Sequence, residues 1–131
     1  MSTNFSGVWN ANLSASKFRG PVPRAIKITI AHSDAELREE ILLTQLDGRE
    51  NRAVFTCSIN KGSQGLLNGQ AIRSSTRWEG NELLIESWVQ LGTREMYFCD
   101  CWSLSPDGQT LRMEHRNDDL AGQLTLLERV E

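Results

Sequence analysis

Asp100 and His115, carried on consecutive strand-like stretches, are the residues whose chemistry stands out. With Ser87 they supply the residue types of a hydrolase triad. A working triad needs its serine on a strained turn, and no G-x-S-x-G stretch is present, so a triad is rejected. Three readings of the Asp–His pair remain. It is a polar handle that orients a bound molecule, or a satisfied structural hydrogen bond (or a hydrated pair at a rim), or, least favoured, an acid–base couple. The last needs a histidine titrating near neutrality within reach of substrate. Cys99-Asp100-Cys101 puts two thiols on one side of a strand. No second pair at zinc-like spacing supports a metal, so these are expected to be free thiols, with no metal site. His32 ends a stretch whose Ile26, Ile28 and Ile30 share its parity and is expected at a rim. No phosphate loop or dinucleotide fingerprint occurs, and no cofactor is implied.

The elements that must position these groups are strands. Turn signals recur at Ser33-Asp34, Asp47-Gly48, Lys61-Gly62, Glu79-Gly80-Asn81, Gly92-Thr93, Ser105-Pro106-Asp107-Gly108 and Asp118-Asp119 through Gly122. Glycine accepts the positive φ that tight strand turns require. Between these turns lie alternating stretches rich in β-branched and aromatic residues. Only DAELREEILL resembles a helix, and its Asp-Gly ending favours a strand. The reading is all-β, with about nine strands near 6–13, 24–33, 37–46, 49–59, 67–78, 82–91, 94–104, 109–117 and 123–130. SASKFRGPVP is a loop, since Pro21 and Pro23 cannot serve an inner strand. Sequential hairpins leave two open edges unless they close. The expectation is therefore a single up-and-down antiparallel β-barrel of about 8–10 strands, spanning 1–131 as one domain.

Turn positions set the register. Across Gly92-Thr93, Val89 faces Met96, Ser87 faces Phe98, Ile85 faces Asp100 and Leu83 faces Trp102. Across Asp107-Gly108, Leu104 faces Leu111, Trp102 faces Met113 and Asp100 faces His115. The same parity adds Ile72, Ser74, Thr76 and Trp78. This set is largely apolar, whereas the opposite set holds Glu86, Gln90, Glu95, Ser103, Arg112, Glu114 and Arg116. The first set must point inward, because a one-residue slip would invert every choice. The outward face carries an apolar group of its own: Leu84 opposite Cys101, Trp88 opposite Tyr97, and Cys99 beside them. It reads as a homodimer or partner surface, as scattered surface hydrophobes, or as a patch covered by the 14–23 loop.

The totals exclude other classes. The 131 residues carry a formal charge of −3 with no basic stripe, so nucleic acid is not an expected partner. No stretch approaches the ~20 apolar residues of a membrane span. Ser2 to Asn4 are polar with no secretion signal, and the cysteine count is odd, so a cytoplasmic setting is expected.

Gly7-x-Trp9 at the start of the first strand, the meander, and Arg129 in LLERV together resemble the lipocalin-like (calycin) barrels and, more distantly, the fatty-acid-binding proteins. SASKF, TRWEGNELLIES and WSLSPDGQTLRME are similar to small bacterial lipocalin-like proteins. The resemblance implies that Trp9 closes the narrow end of the barrel and that Arg129 lies across it, with cation–π attraction between them. It does not bring the two-helix lid of the fatty-acid-binding proteins, for which SASKFRGPVP is too short. It does not bring their carboxylate-binding arginines either: Arg73 and Arg112 point outward. The favoured function is binding of a small, mostly apolar molecule, without catalysis. Ile72, Trp78, Ile85, Met96, Phe98, Trp102 and Met113 would line the cavity, Ser87 would add a hydroxyl, and Asp100 and His115 would orient the guest. The alternative is a barrel filled by its own side chains that acts as an interaction or dimerisation module.

Overall fold

The computed structural model describes residues 4–18, 22–33, 35–59, 64–68, 70–117 and 120–130. The turn signals at Asp34, Lys61-Gly62 and Asp118-Asp119 lie outside the described residues. The described chain is all-β. Its ten strands are β1 (Gly7–Ala11), β2 (Ala25–His32), β3 (Glu36–Thr44), β4 (Glu50–Ser58), β5 (Gln64–Leu67), β6 (Gln70–Glu79), β7 (Glu82–Leu91), β8 (Arg94–Leu104), β9 (Thr110–Asn117) and β10 (Leu120–Arg129). Each pairs antiparallel with its neighbour in sequence, and β1 pairs with β10 to close the barrel. Closure removes the two exposed edges that a ten-strand meander would otherwise present to other chains.

Ten strands fall within the expected 8–10; the strand added to the nine placed from sequence is β5, which precedes the expected 67–78 strand, itself found as β6. A turn at Asn68 sets β5 apart, so that its Leu67 pairs with Gln70 of β6. Asn-Gly is the strongest short-range hairpin signal, since both residues accept positive φ. Asn68 adopts φ 52°. Its N–H donates to the Val54 carbonyl at 2.7 Å, and its Oδ1 accepts the Val54 N–H at 2.8 Å. The turn is thereby tied to the neighbouring strand. DAELREEILL contributes β3, a strand, as its flanking signals indicate.

From β6 to β9 the register is the one that the turns dictate. Val89 pairs with Met96, Ser87 with Phe98, Ile85 with Asp100, Leu83 with Trp102, and Asp100 in turn with His115. Gly92 supplies φ 64° at the β7–β8 turn. Leu83, Ile85, Trp102, Leu111 and Met113 are buried inside, while Gln90, Glu95, Arg112 and Arg116 are exposed outside.

One end of the interior is solid. Phe5, Trp9, Leu83, Trp102, Leu111 and Leu127 are each buried to 2 % exposure or less. The Arg129 guanidinium carbon sits 4.3 Å from the centre of the Trp9 ring. Its Nη1 donates to the Ser6 carbonyl at 3.0 Å and its Nε to the Gly108 carbonyl at 3.1 Å. Trp9 Nε1 donates to the Phe5 carbonyl at 3.0 Å, so the indole is packed without an orphaned donor. Gly7 makes room for this arrangement. A Cβ there would lie 2.6 Å from Arg129 Nη1, at a φ of 144° that other residues rarely adopt. Gly7, Trp9 and Arg129 thus meet at one end of the barrel.

The loop after β1 lies along β10. Lys17 and Leu124 exchange backbone hydrogen bonds of 2.7 and 3.0 Å, and Ser16 Oγ accepts the Leu126 N–H at 2.9 Å. The loop's described residues therefore attach away from the β7–β8 outer face, and they form no helix.

Candidate functional site: a cavity with one polar wall

Beyond the solid end the same strands enclose a cavity of about 420 Å³. Small-molecule sites span roughly 300–1,000 Å³, so it has the size of one small guest. Most of its wall is aliphatic or aromatic. Ile26 and Ile28 come from β2, Ile41 and Leu43 from β3, and Ala53 and Phe55 from β4, while Leu67, Ile72, Ile85 and Val89 complete the apolar part. Opposite β3, the wall carries Phe98, Asp100 and Trp102 of β8, Met113 and His115 of β9, and Gln123 and Thr125 of β10.

Asp100 and His115 are brought together by their direct pairing. His115 Nδ1 lies 2.5 Å from Asp100 Oδ1. That hydrogen bond raises the His115 pKa above its ordinary value, burial opposing it and the negative charge of Asp100 reinforcing it. The Phe98 ring stacks on the imidazole at 5.6 Å between centroids. Both members of the pair keep some exposure, 39 % for the His115 side chain and 29 % for Asp100. Ser87 lines the cavity but makes no side-chain hydrogen bond to a described residue, so the triad's first link is missing.

Eight residues named from sequence therefore line the cavity: Ile72, Ile85, Ser87, Phe98, Asp100, Trp102, Met113 and His115. Trp78 and Met96 do not. Trp78 belongs to the plug, its ring 5.9 Å from Phe5 and nearly parallel to it. Met96 stands three residues beyond the Gly92-Thr93 turn and is half-buried near that rim. His32 is not a bare rim residue. Its Nδ1 accepts the Phe5 N–H at 3.1 Å, and its ring stacks on Phe5 at 5.6 Å.

The residue that sequence reasoning missed is Glu39. It is 8 % exposed, lies between Ile30 and Phe55 in the sheet, and faces the cavity. Burial, reinforced by the negative charge of Asp100 on the opposite wall, raises its pKa to about 8, so the carboxyl is predominantly protonated at neutral pH. A signal was available, since Leu37, Glu39, Ile41 and Leu43 alternate. It was masked because Leu42, on the other parity, is also apolar. Near Glu39, the buried Cys57 thiol lies 3.2 Å from Thr76 Oγ1, and burial pushes its pKa up.

The outward cluster is held differently. Trp88 and Tyr97 pair as expected, with ring centroids 5.4 Å apart, and Leu84 pairs with Cys101. Charged groups cover the aromatics. Arg73 sits 4.4 Å over Trp88, Tyr97 donates to Glu86 Oε2 at 2.6 Å, and Arg77 Nη1 binds Glu86 Oε1 at 2.8 Å. The hydroxyl and the guanidinium together lower the Glu86 pKa. Leu84, Trp88, Tyr97, Cys99 and Cys101 are all half-buried. All three cysteines are free; burial raises Cys99, and burial with a hydrogen bond to Glu82 brings Cys101 to about 11, so neither is a reactive thiolate at neutral pH. No group of three potential metal ligands occurs among the described residues.

No protein-family model matches the chain, and neither does any curated protein sequence. Solved structures match it by shape. A secretary abundant heat soluble (SAHS) protein from Ramazzottius varieornatus superposes with a TM-score of 0.66 at 13 % identity, covering 98 % of this chain and 97 % of the other. The structure described as "REP1-NXSQ fatty acid transporter" gives 0.60 at 10 % identity, covering 96 % of each chain. The closed ten-strand meander and these neighbours show that the fold is that of the calycin, or lipocalin-like, barrels.

Proposed function

We propose that the barrel works by binding one small, mostly apolar molecule in its interior, without catalysing a reaction on it. The observation that carries this reading is the cavity of about 420 Å³, apolar over most of its wall and polar where Glu39, Asp100 and His115 face one another. An apolar enclosure with a few convergent polar groups is the general form of a small-molecule site. One neighbour of the same shape is described as a fatty acid transporter, which supports the class of activity and not its ligand. Asp100 and His115 act here as an orienting pair, because among the described residues no nucleophile is hydrogen-bonded to the histidine. The free cysteines fit a reducing compartment.

Titration with a neutral solvatochromic dye, followed by its fluorescence and by quenching of tryptophan emission, tests the reading. Saturable binding of one dye per chain is expected. Val89→Trp, which places an indole in the cavity, should abolish binding while the melting curve stays cooperative. Equal binding by Val89→Trp would overturn the reading.

A further inference from the structure

The headgroup the cavity takes follows from its supply of acceptors and donors. Glu39 and Asp100 bring two carboxyl groups to the lining, and no lysine or arginine accompanies them among the described residues. The one basic side chain among the described lining residues, His115, is hydrogen-bonded to Asp100 at 2.5 Å. Glu39 is nine-tenths buried and makes no hydrogen bond or ion pair with a described residue, and Asp100 Oδ2 has no described partner either. Three carboxyl oxygens thus face the cavity without partners. A buried carboxyl normally has its hydrogen bonds satisfied, so Glu39 is incomplete without a guest, and Asp100 Oδ2 stands ready on the opposite wall.

We propose that this cavity selects amphiphiles with a protonated amine head and discriminates against carboxylates. The inference rests on the reading that the interior binds a small apolar molecule. An ammonium presents three donors to the three unpartnered oxygens and no acceptor. A carboxylate would face two carboxyls, with the His115 imidazole already hydrogen-bonded to Asp100. The negative charge it then meets is that of Asp100, and repulsion between like charges in a partly desolvated site disfavours it. The groups that set the charge around Glu39 are Asp100 from β8, His115 from β9 and the Cys57 thiol from β4. Glu39 must lose its proton to pair with an ammonium, so binding at neutral pH releases about one proton to the buffer. At roughly 30 Å³ per heavy atom, water's share of its liquid, about 420 Å³ accommodates an eight-carbon chain with its head.

Isothermal titration of the whole protein with n-octylamine, 1-octanol and octanoate, at pH 7 and equal ionic strength, decides the matter. The amine is expected to bind at least about tenfold more tightly than octanoate, with the alcohol between them. Its affinity should rise about tenfold from pH 6 to pH 7 and flatten above pH 8, and its binding enthalpy should vary with the ionisation enthalpy of the buffer. Glu39→Gln, which keeps the shape and removes a buried acid, should weaken the amine at least about tenfold while changing the alcohol less than about threefold. Octanoate binding as tightly as octylamine, or an unchanged amine affinity in Glu39→Gln, would overturn the inference. If the alcohol binds and the amine does not, the selectivity falls and the binding reading stands. If none of the three binds, both fall.

Discussion

The two ends of the barrel are built from the same strands and made for opposite purposes. At one end the inward residues are Phe5, Trp9, Leu83, Trp102, Leu111 and Leu127, all essentially out of contact with water. The charge of Arg129 there is satisfied by two backbone carbonyls and an indole face. At the other end the inward residues are branched aliphatics with Glu39, Ser87, Asp100 and His115 among them, and a cavity of about 420 Å³ remains. At the first end the donors of Trp9 and Arg129 are paired and the volume is filled. The second leaves carboxyl oxygens unpartnered around a void. Stability resides where complementarity is complete, and a void lined by unpartnered groups costs stability that a guest can restore.

Truncation tests this contrast most strongly. Trp9→Ala at the solid end should cost about 3–5 kcal/mol in denaturant unfolding, whereas Val89→Ala, already beside the cavity, should cost at most about 1 kcal/mol. Equal losses at both sites would break the distinction.

Removing the buried acid should have the opposite sign. The Glu39 pKa rises on folding from 4.5 to about 8, so between those values the folded state holds a proton that the unfolded state has released. Stability therefore falls as pH rises through this window and levels off above it. By pH 8 the loss from this one group amounts to about 4 kcal/mol, taking 1.36 kcal/mol per unit between 4.5 and about 8. Glu39→Gln should recover most of this at pH 8 and nothing at pH 4, as thermal melts at the two pH values will show. A gain of the same size at pH 4 would assign the effect to packing.

Gly7→Ala sharpens the comparison from the solid end. Its new Cβ would meet Arg129 Nη1 at a φ that disfavours alanine, and a loss of about 1–3 kcal/mol is expected. Arg129→Met in the same chain should relieve the clash, leaving the two losses less than additive in a double-mutant cycle.

The smallest effect lies in the cavity. NMR titration should show His115 giving up its proton above its ordinary pKa of 6.5, because Asp100 holds the imidazolium. The pair's contribution to stability is then present below 6.5 and is lost as pH rises through the folded value. Asp100→Asn should bring the titration back down. A His115 that titrates unchanged in Asp100→Asn would show that the short hydrogen bond does not control it.

How much of this was legible depends on distance along the chain. The alternation from β6 to β9 and the turn glycines specify which side chains share a face, since strand period and turn geometry are local properties. Asp100 and His115 could be paired for that reason, and Trp9 and Arg129 could be assigned to one end through a resemblance that covers the chain. The turn at Asn68 is equally local, and it sets off β5 as a strand of its own. Glu39 was not legible in the same way. Its parity was ambiguous, and its protonation depends on Asp100, five strands away around the barrel wall. Likewise, Trp78 shares the parity of Ile72 but joins the plug, because depth along a tilted barrel depends on all ten strands together. The sequence by itself determined the closed meander and the inward set of its second half, because hydrogen-bond register propagates from each turn to the next. Only the tertiary structure decided that the interior is solid at one end and hollow at the other, because that volume is the difference between the circumference of the wall and the side chains it encloses.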